Sequence, residues 1–583
     1  MNGLHLPSSL SPFQLVRETH PFKSVYTRGV AFMDVRSLRL TLALTATILA
    51  IACDGSAPAA RSARYEDLVT LFTEWREFQK PKLVDGVADY SAGAMATQQR
   101  ELATFQQRLA VIDTSGWPVP QQVDYHLVRA EMNGLEFDHR VLRPWERNPA
   151  FYVAIFPSQS DVPAREGPVA LGAIELWTYT YPLDAAAATD LRKKLQAVPV
   201  ILERARRNLT GNARDFWIAG TRAMKDQSAD LGNLEQRIAV TSPDVVEDVR
   251  RARVATDSFV TWLEVEAPSK TEPSGVGIEN YNWYLANVHM VPFNWQDQVA
   301  IMRRELARAH AALRLEETRN SALPPLSVVA SEAEHARRFN AAVTEYLDFL
   351  RERQVVPLRE YMDAALRARI GSFNASVPDS MREFFTQVDY REPVAMRTHG
   401  YHWFDLARMA NEPHTSPIRK VPLLYNIFDE RAEGLATGME EMMMHAGLFD
   451  ARPRARELIW ILLAQRAARA LGDLRMHSNE YNMAEAVKFA SEWTPRGWLR
   501  EDGNTVWGEQ HLYLQQPSYG TSYVIGKVQI EQLMADRSRQ LGDRFSLQGF
   551  MDELNKAGMI PLTLTRWELT GDPSEITRLR QLH

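Results

Sequence analysis

Glu433-Gly-Leu-Ala-Thr437-Gly-Met-Glu440-Glu441-Met-Met-Met-His445 reads as one helix, and what its acids demand decides how the chain must fold around it. At 100° per residue, Glu433, Thr437 and Glu440 fall within about 60° of one another on a single face. Glu441 and His445 occupy the adjoining flank. Two carboxylates two turns apart, set among Leu, Met and Ala, are costly to bury without a cation or an arginine. That cost points to a site. The competing readings are a partly solvated face or carboxylates paired with some of the chain's many arginines. The four methionines at 439 and 442–444 read as plastic core packing.

Helical periodicity extends from this stretch through most of the chain. Leu68, Phe72, Trp75 and Phe78 form one stripe. Ser242-Pro243-Asp244 starts a helix that reaches about Glu266, with proline in its first turn. Asn294 begins a long amphipathic helix through Met302, Leu306, Ala309 and Leu313, and further patterns span Glu332–Arg351 and Leu358–Arg369. Gln354-Val355-Val356-Pro357 breaks the last two apart. With 29 Gly and 31 Pro in 583 residues, the chain is lean in turn formers. Glu392–His402 is the best candidate for a strand or extended loop. The expected fold is therefore mostly α, a large helical body over 65–583 with a central cleft and few short strands. Pattern and composition are alike on both sides of the Pro268–Gly277 loop, so two subdomains sharing one cleft are expected.

Composition narrows the function. The chain carries 67 Lys+Arg against 73 Asp+Glu, net −6, which disfavours a nucleic-acid binder. Its one cysteine excludes an internal disulfide, Cys-rich zinc sites and iron–sulfur clusters. That cysteine, Cys53, follows Arg36, Arg39 and the uncharged apolar run Leu40–Ala52. The run is shorter than the roughly 20 residues of a spanning helix and has the size of an export signal. Ala50-Ile51-Ala52-Cys53 resembles a bacterial lipobox, which makes Cys53 the expected lipidation site. On this reading residues 1–53 form a signal region, with a start at Met33 in view, and 54–64 are a tether. A simple cleaved signal is the rival. The expected location is the bacterial cell envelope, lipid-anchored and facing the periplasm or exterior.

Motifs in the last third carry a family resemblance. They are the Glu433-Gly-Leu-Ala helix with Glu440 seven residues on, His477 at a helix end and Glu509-Gln-His511-Leu-Tyr513. Pro517-Ser-Tyr-Gly-Thr-Ser-Tyr523-Val-Ile-Gly526 and the tail Phe550-Met-Asp-Glu-Leu-Asn-Lys-Ala-Gly-Met-Ile-Pro-Leu complete the set. In order and spacing these resemble the bacterial domain of unknown function 885 family. Upstream, Gly277-Ile-Glu-Asn-Tyr281 resembles that family's Gly-x-x-x-Tyr element. The resemblance implies a helical fold related to zinc-dependent peptidases, whose metal site joins a His-Glu-x-x-Pro-Gly-His motif to the helix glutamate. Here that motif is degenerate. Aligning His402 with its first histidine places Trp403 at the catalytic glutamate and Arg408 at the second histidine.

The resemblance and the residues together set the expectations. His399, His402 and Asp405 recur at i, i+3, a plausible ridge for zinc or another divalent ion. His402 and Glu433 are the metal candidates, with His399 or His414 left open as a third ligand. Glu440 would orient the site, Tyr523 would donate to a developing oxyanion, and His477 or His511 could act as acids. No residue stands out as general base; Glu441, Asp405 and Glu412 remain open. Two functions follow. One is an exported lipoprotein resembling a zinc-dependent amide hydrolase, acting on short peptides or a similar small-molecule substrate. The other is a non-catalytic periplasmic binding or scaffold lipoprotein. Neither reading involves nucleic acid, and both touch the membrane through the lipid.

Overall fold

The structure, a computed structural model, describes residues 62–581, so the signal-like segment and Cys53 lie outside the described residues. Helices dominate these residues, and the strands are two pairs of two residues each. Leu83–Val84 runs antiparallel to Val87–Ala88, and Ile155–Phe156 runs parallel to Ile174–Glu175. No helix among the described residues is long and apolar enough to cross a membrane.

The helix starts follow local chemistry. Pro243 occupies the first turn of Pro243–Glu266. Asn294 caps Trp295–Arg319 through a reciprocal box with Asp297, which satisfies amide groups that the first turn leaves free. The next two patterns fold as Glu332–Glu352 and Glu360–Arg367.

Among the described residues two large apolar cores form, beside a small third cluster around Phe216, Tyr513 and Tyr519. Helices Ala185–Asn208, Arg214–Ile238 and Pro243–Glu266 gather around Leu191, Leu195, Trp217 and Phe259. The larger core runs from Leu68 to the C-terminal helices and includes Leu435, Met439, Met443 and Met444.

The segment 392–402 departs from the expected strand or extended loop. It is the helix Pro393–His399, a break at Gly400, and the start of Tyr401–Asn411. Pro393 again supplies the first turn, while Val394, Ala395, Arg397 and Thr398 are all buried. This helix packs against both Glu332–Glu352 and Asp429–His445. A helix covered on several sides carries no single apolar stripe, so its period is masked.

At the centre, helix Asp429–His445 crosses helix Tyr519–Leu541 at backbone distance. A Cβ placed on Gly526 would stand 1.9 Å from the Glu430 carbonyl oxygen, and one on Gly434 would stand 2.4 Å from Gly526 Cα. Only glycine permits such an approach. The second helix begins at Tyr519, where Ser518 adopts a left-handed φ of 74° and turns the chain into it. Tyr519 and Tyr523 therefore share one helix face beside Glu433.

Candidate metal centre

His399 ends one helix and His402 lies in the first turn of the next, with the Gly400 break between them. Their rings meet edge to face, 5.0 Å apart. Across from them stands Glu433, and one ligand atom from each of the three residues lies within 4.8 Å of the others. Of the two open third ligands, His399 joins the cluster. His414 instead accepts the Ser416 amide at Nδ1.

The pair His402 and Glu433 has a specific geometry. Nε2 of His402 and Oε2 of Glu433 approach to 3.2 Å, both side chains being 2 % exposed. Neither atom makes a hydrogen bond of acceptable geometry. The other oxygen of Glu433 accepts the Tyr519 hydroxyl at 2.6 Å. Burial pushes the Glu433 carboxyl up, but the facing His402 outweighs it, with His399 and Tyr519 adding to the effect, and holds it at about 2. For His402 burial acts downward, yet Glu433, then Asp161, raise it to about 9.

His399 is held from behind. Its Nδ1 lies 3.1 Å from Oε1 of Glu440, whose two oxygens both accept from Arg466 at 2.7 Å. Arg466 also comes within 3.2 Å of Nδ1, but both of its terminal nitrogens are already engaged by the carboxylate. A proton on Nδ1 shared with Glu440 fits that charge and leaves Nε2 as the nitrogen for a cation.

Tyr523 stands one turn after Tyr519, its ring edge-on at 5.8 Å, and burial, then Glu433, push its phenol upward. The Arg469 guanidinium lies 5.3 Å over it. His477 does not join this group. Its Nε2 lies 3.0 Å from the Tyr513 carbonyl, and its Nδ1 accepts the Val276 amide at 3.4 Å. Arg408 does not stand in for a cation at Glu433; it pairs with Asp405 at 2.9 Å, and Asp405 also holds Arg431. The other base candidates are occupied as well. Glu441 binds Arg308 and Lys527, and Glu412 binds Arg359 and Tyr361 at the surface.

Three features escaped the sequence reading. Tyr519 sits four residues before Tyr523, so the spacing could have found it. Arg466 lies on the Ala455–His477 helix, where nothing local marks it. The third is the connection between Phe156 and Ile174, which brings Asp161 to His402 and Glu166 to Glu433. Burial first, then Asp161, moves the Glu166 carboxyl up to about 7.

Residues 341–569 match the family model of bacterial proteins of unknown function (DUF885), a span that contains all three cluster residues. No curated protein matches the chain. Solved structures share its fold, two of them as follows. A candidate lipoprotein of unknown function from Shewanella oneidensis superposes with a TM-score of 0.63 at 13 % identity, covering 87 % of this chain and all of its own. A candidate lipoprotein from Colwellia psychrerythraea gives 0.59 at 14 % identity, covering 89 % of this chain and all of its own.

Proposed function

We propose that His399, His402 and Glu433 hold a divalent metal ion, zinc first among them, and that the protein is a metal-dependent amide hydrolase of the cell envelope. The observation that carries this reading is the orphaned pair, His402 Nε2 and Glu433 Oε2, buried 3.2 Å apart without a hydrogen bond between them. Unsatisfied atoms of this kind are costly unless something bridges them. Two imidazoles and one carboxylate are also the donor set of a catalytic zinc site, which keeps a further position open. When bound, such an ion supplies Lewis acidity toward a water and a carbonyl oxygen.

The chain's own residues have separable tasks around it. Glu440 fixes the His399 tautomer at Nδ1, and Tyr519 fixes the rotamer of Glu433 through Oε1. Tyr523 offers a hydroxyl proton to an oxygen gaining charge. Glu166 forms no ion pair among the described residues and titrates near neutrality, which suits it to accept a proton from an attacking water. Short peptides are the proposed substrate. Lipidation at Cys53 is proposed to hold the enzyme at the envelope, in line with the fold relatives described as candidate lipoproteins.

The second reading, a non-catalytic binding or scaffold lipoprotein, draws on Trp403, which stands where the resembled motif has its glutamate. Metal content separates the two. Protein purified without chelator is expected to hold one zinc per chain by plasma mass spectrometry, and Glu433→Gln to hold none. Absence of stoichiometric metal from the unaltered protein would favour the scaffold.

A further inference from the structure

A cleft of about 260 Å³ opens beside the Phe156–Ile174 connection and is lined by Tyr90, Asp138, Trp145, Phe151, Tyr284 and Tyr425 among others. Five aromatic side chains contribute to its walls beside aliphatic and amide groups, and Asp138 is the one acid among its lining residues. The side chain of Asp138 makes no hydrogen bond or ion pair among the described residues, and burial alone pushes its carboxyl to about 8. Two cations line the same cleft, but both are already engaged. Lys80 pairs with Glu77 at 2.6 Å, and Arg165 pairs with Glu175 at 2.5 Å while lying 3.5 Å over Phe156. The charge of Asp138 instead reaches Tyr90, Tyr284 and Tyr425, raising all three phenols after burial has done so.

The backbone around this cleft is irregular at three places. Asp138 begins the π-helical turn Asp138–Leu142, which ends on Arg143 at φ 42°. Tyr284 immediately precedes a second π-helical turn, Leu285–His289, which ends on Met290 at φ 54°. Tyr425 and Asn426 are consecutive left-handed residues at φ 58° and 48°. Their conformation seats the Tyr425 ring so close to Gly134 that a Cβ there would stand 2.3 Å from it. Left-handed non-glycine residues and π-turns cost energy and gather where a binding surface must be shaped. Here they aim Asp138, Tyr284 and Tyr425 into one space.

We propose that this cleft binds a small organic ammonium ion, with Asp138 as counter-ion and Tyr90, Trp145, Tyr284 and Tyr425 as its aromatic wall. A lone carboxylate facing electron-rich rings favours a cation over an anion or a neutral molecule, because the ring faces and the charge act with the same sign. Asp138, Tyr90 and Tyr425 are half-buried, so the ion would sit at lower effective dielectric than in water, which strengthens both contributions. None of His399, His402 and Glu433 lines this cleft, and the proposal does not rest on that cluster.

The test titrates the full-length protein with n-butylammonium and with neutral n-butanol, by calorimetry at pH 8. The ammonium ion should saturate one site per chain and the alcohol should bind at least roughly tenfold more weakly. Asp138→Asn should bring ammonium affinity down to that of the alcohol. It removes an acid with no ion pair to lose, so the fold should persist. Should that variant fail to fold, Tyr90→Leu provides the second arm, weakening ammonium binding severalfold while leaving the alcohol unchanged. Glu433→Gln should alter neither ligand, which keeps this outcome apart from that of the metal centre. Equal binding of ammonium and alcohol, no saturable ammonium binding, or full affinity in Asp138→Asn would overturn the assignment.

Discussion

The Tyr519 hydroxyl donates to Oε1 of Glu433 at 2.6 Å, and that bond leaves Oε2 turned toward His402 Nε2. A carboxylate held by one oxygen presents the other in a fixed direction, which lowers the cost of ordering a ligand set. Tyr519→Phe removes the bond and keeps the ring. Zinc affinity should fall by roughly 10–100-fold, the range seen when such supporting contacts are lost. Competition against a chromogenic chelator measures this directly. Unaltered affinity would mean that Tyr519 merely packs beside Glu433.

Glu440 gives a contrasting expectation, since its partner is a permanent charge. Arg466 is fully buried and both of its terminal nitrogens bind Glu440. Glu440→Gln leaves that guanidinium without its counter-charge, a loss of roughly 3–5 kcal/mol. Denaturant unfolding should show this loss even with chelator present, where no metal contributes to stability. On the proposed metal reading, Glu433→Gln should instead cost stability only as far as chelation does. Matching effects of chelator and Glu440→Gln would place the metal at Glu440 instead.

Much of the scaffold is legible in the sequence where a helix has one wet face. Pro243–Glu266 and Trp295–Arg319 carry both a stripe and a start signal, and both form as read. The helix Pro393–His399 hides because neighbours cover it on several sides, so burial erases the contrast that periodicity needs. In the site, His402 and Glu433 follow from motif order, but the choice of His399 over His414 depends on the Gly400 break. Tyr519 is concealed by Ser518, whose left-handed turn starts the helix earlier than composition suggests. Asp161 and Glu166 come from an irregular connection far away in the chain, and no local pattern ties such residues to a distant helix.

His477 sets an expectation for acid sensitivity. Burial dominates its shift, the Tyr513 carbonyl opposes it, and the charge of Arg147 adds to burial, leaving the imidazole at about 4 against an ordinary 6.5. The unfolded chain therefore takes up a proton below about 6.5 that the folded chain refuses until about 4. Stability from this group is complete above 6.5 and is lost as pH falls toward 4, a decrease approaching roughly 3 kcal/mol. Melting temperature should drop between pH 7 and pH 5; burial pushes His139 and His511 down to about 4 as well, so His477→Gln should make that drop shallower without abolishing it. An equally steep fall in the variant would assign the acid sensitivity to other groups.

The crossing at Gly526 is the most demanding steric feature of the site. A methyl group there would occupy the space of the Glu430 carbonyl oxygen, which is main chain and cannot rotate aside. The two helices would have to separate, moving Glu433 on one away from Tyr519 and Tyr523 on the other. Helix propensity alone favours alanine over glycine by about 1 kcal/mol, so a surface glycine would gain from the change. Gly526→Ala should instead destabilise by about 3 kcal/mol or more, the cost of overpacking a closed interface. It should also weaken zinc binding although no ligand is altered. Gly508, which has open space around its own Cβ position, provides the control, since Gly508→Ala should leave zinc affinity unchanged and stability equal or slightly higher. If Gly526→Ala behaves like Gly508→Ala, the two helices are not packed as tightly as this geometry requires.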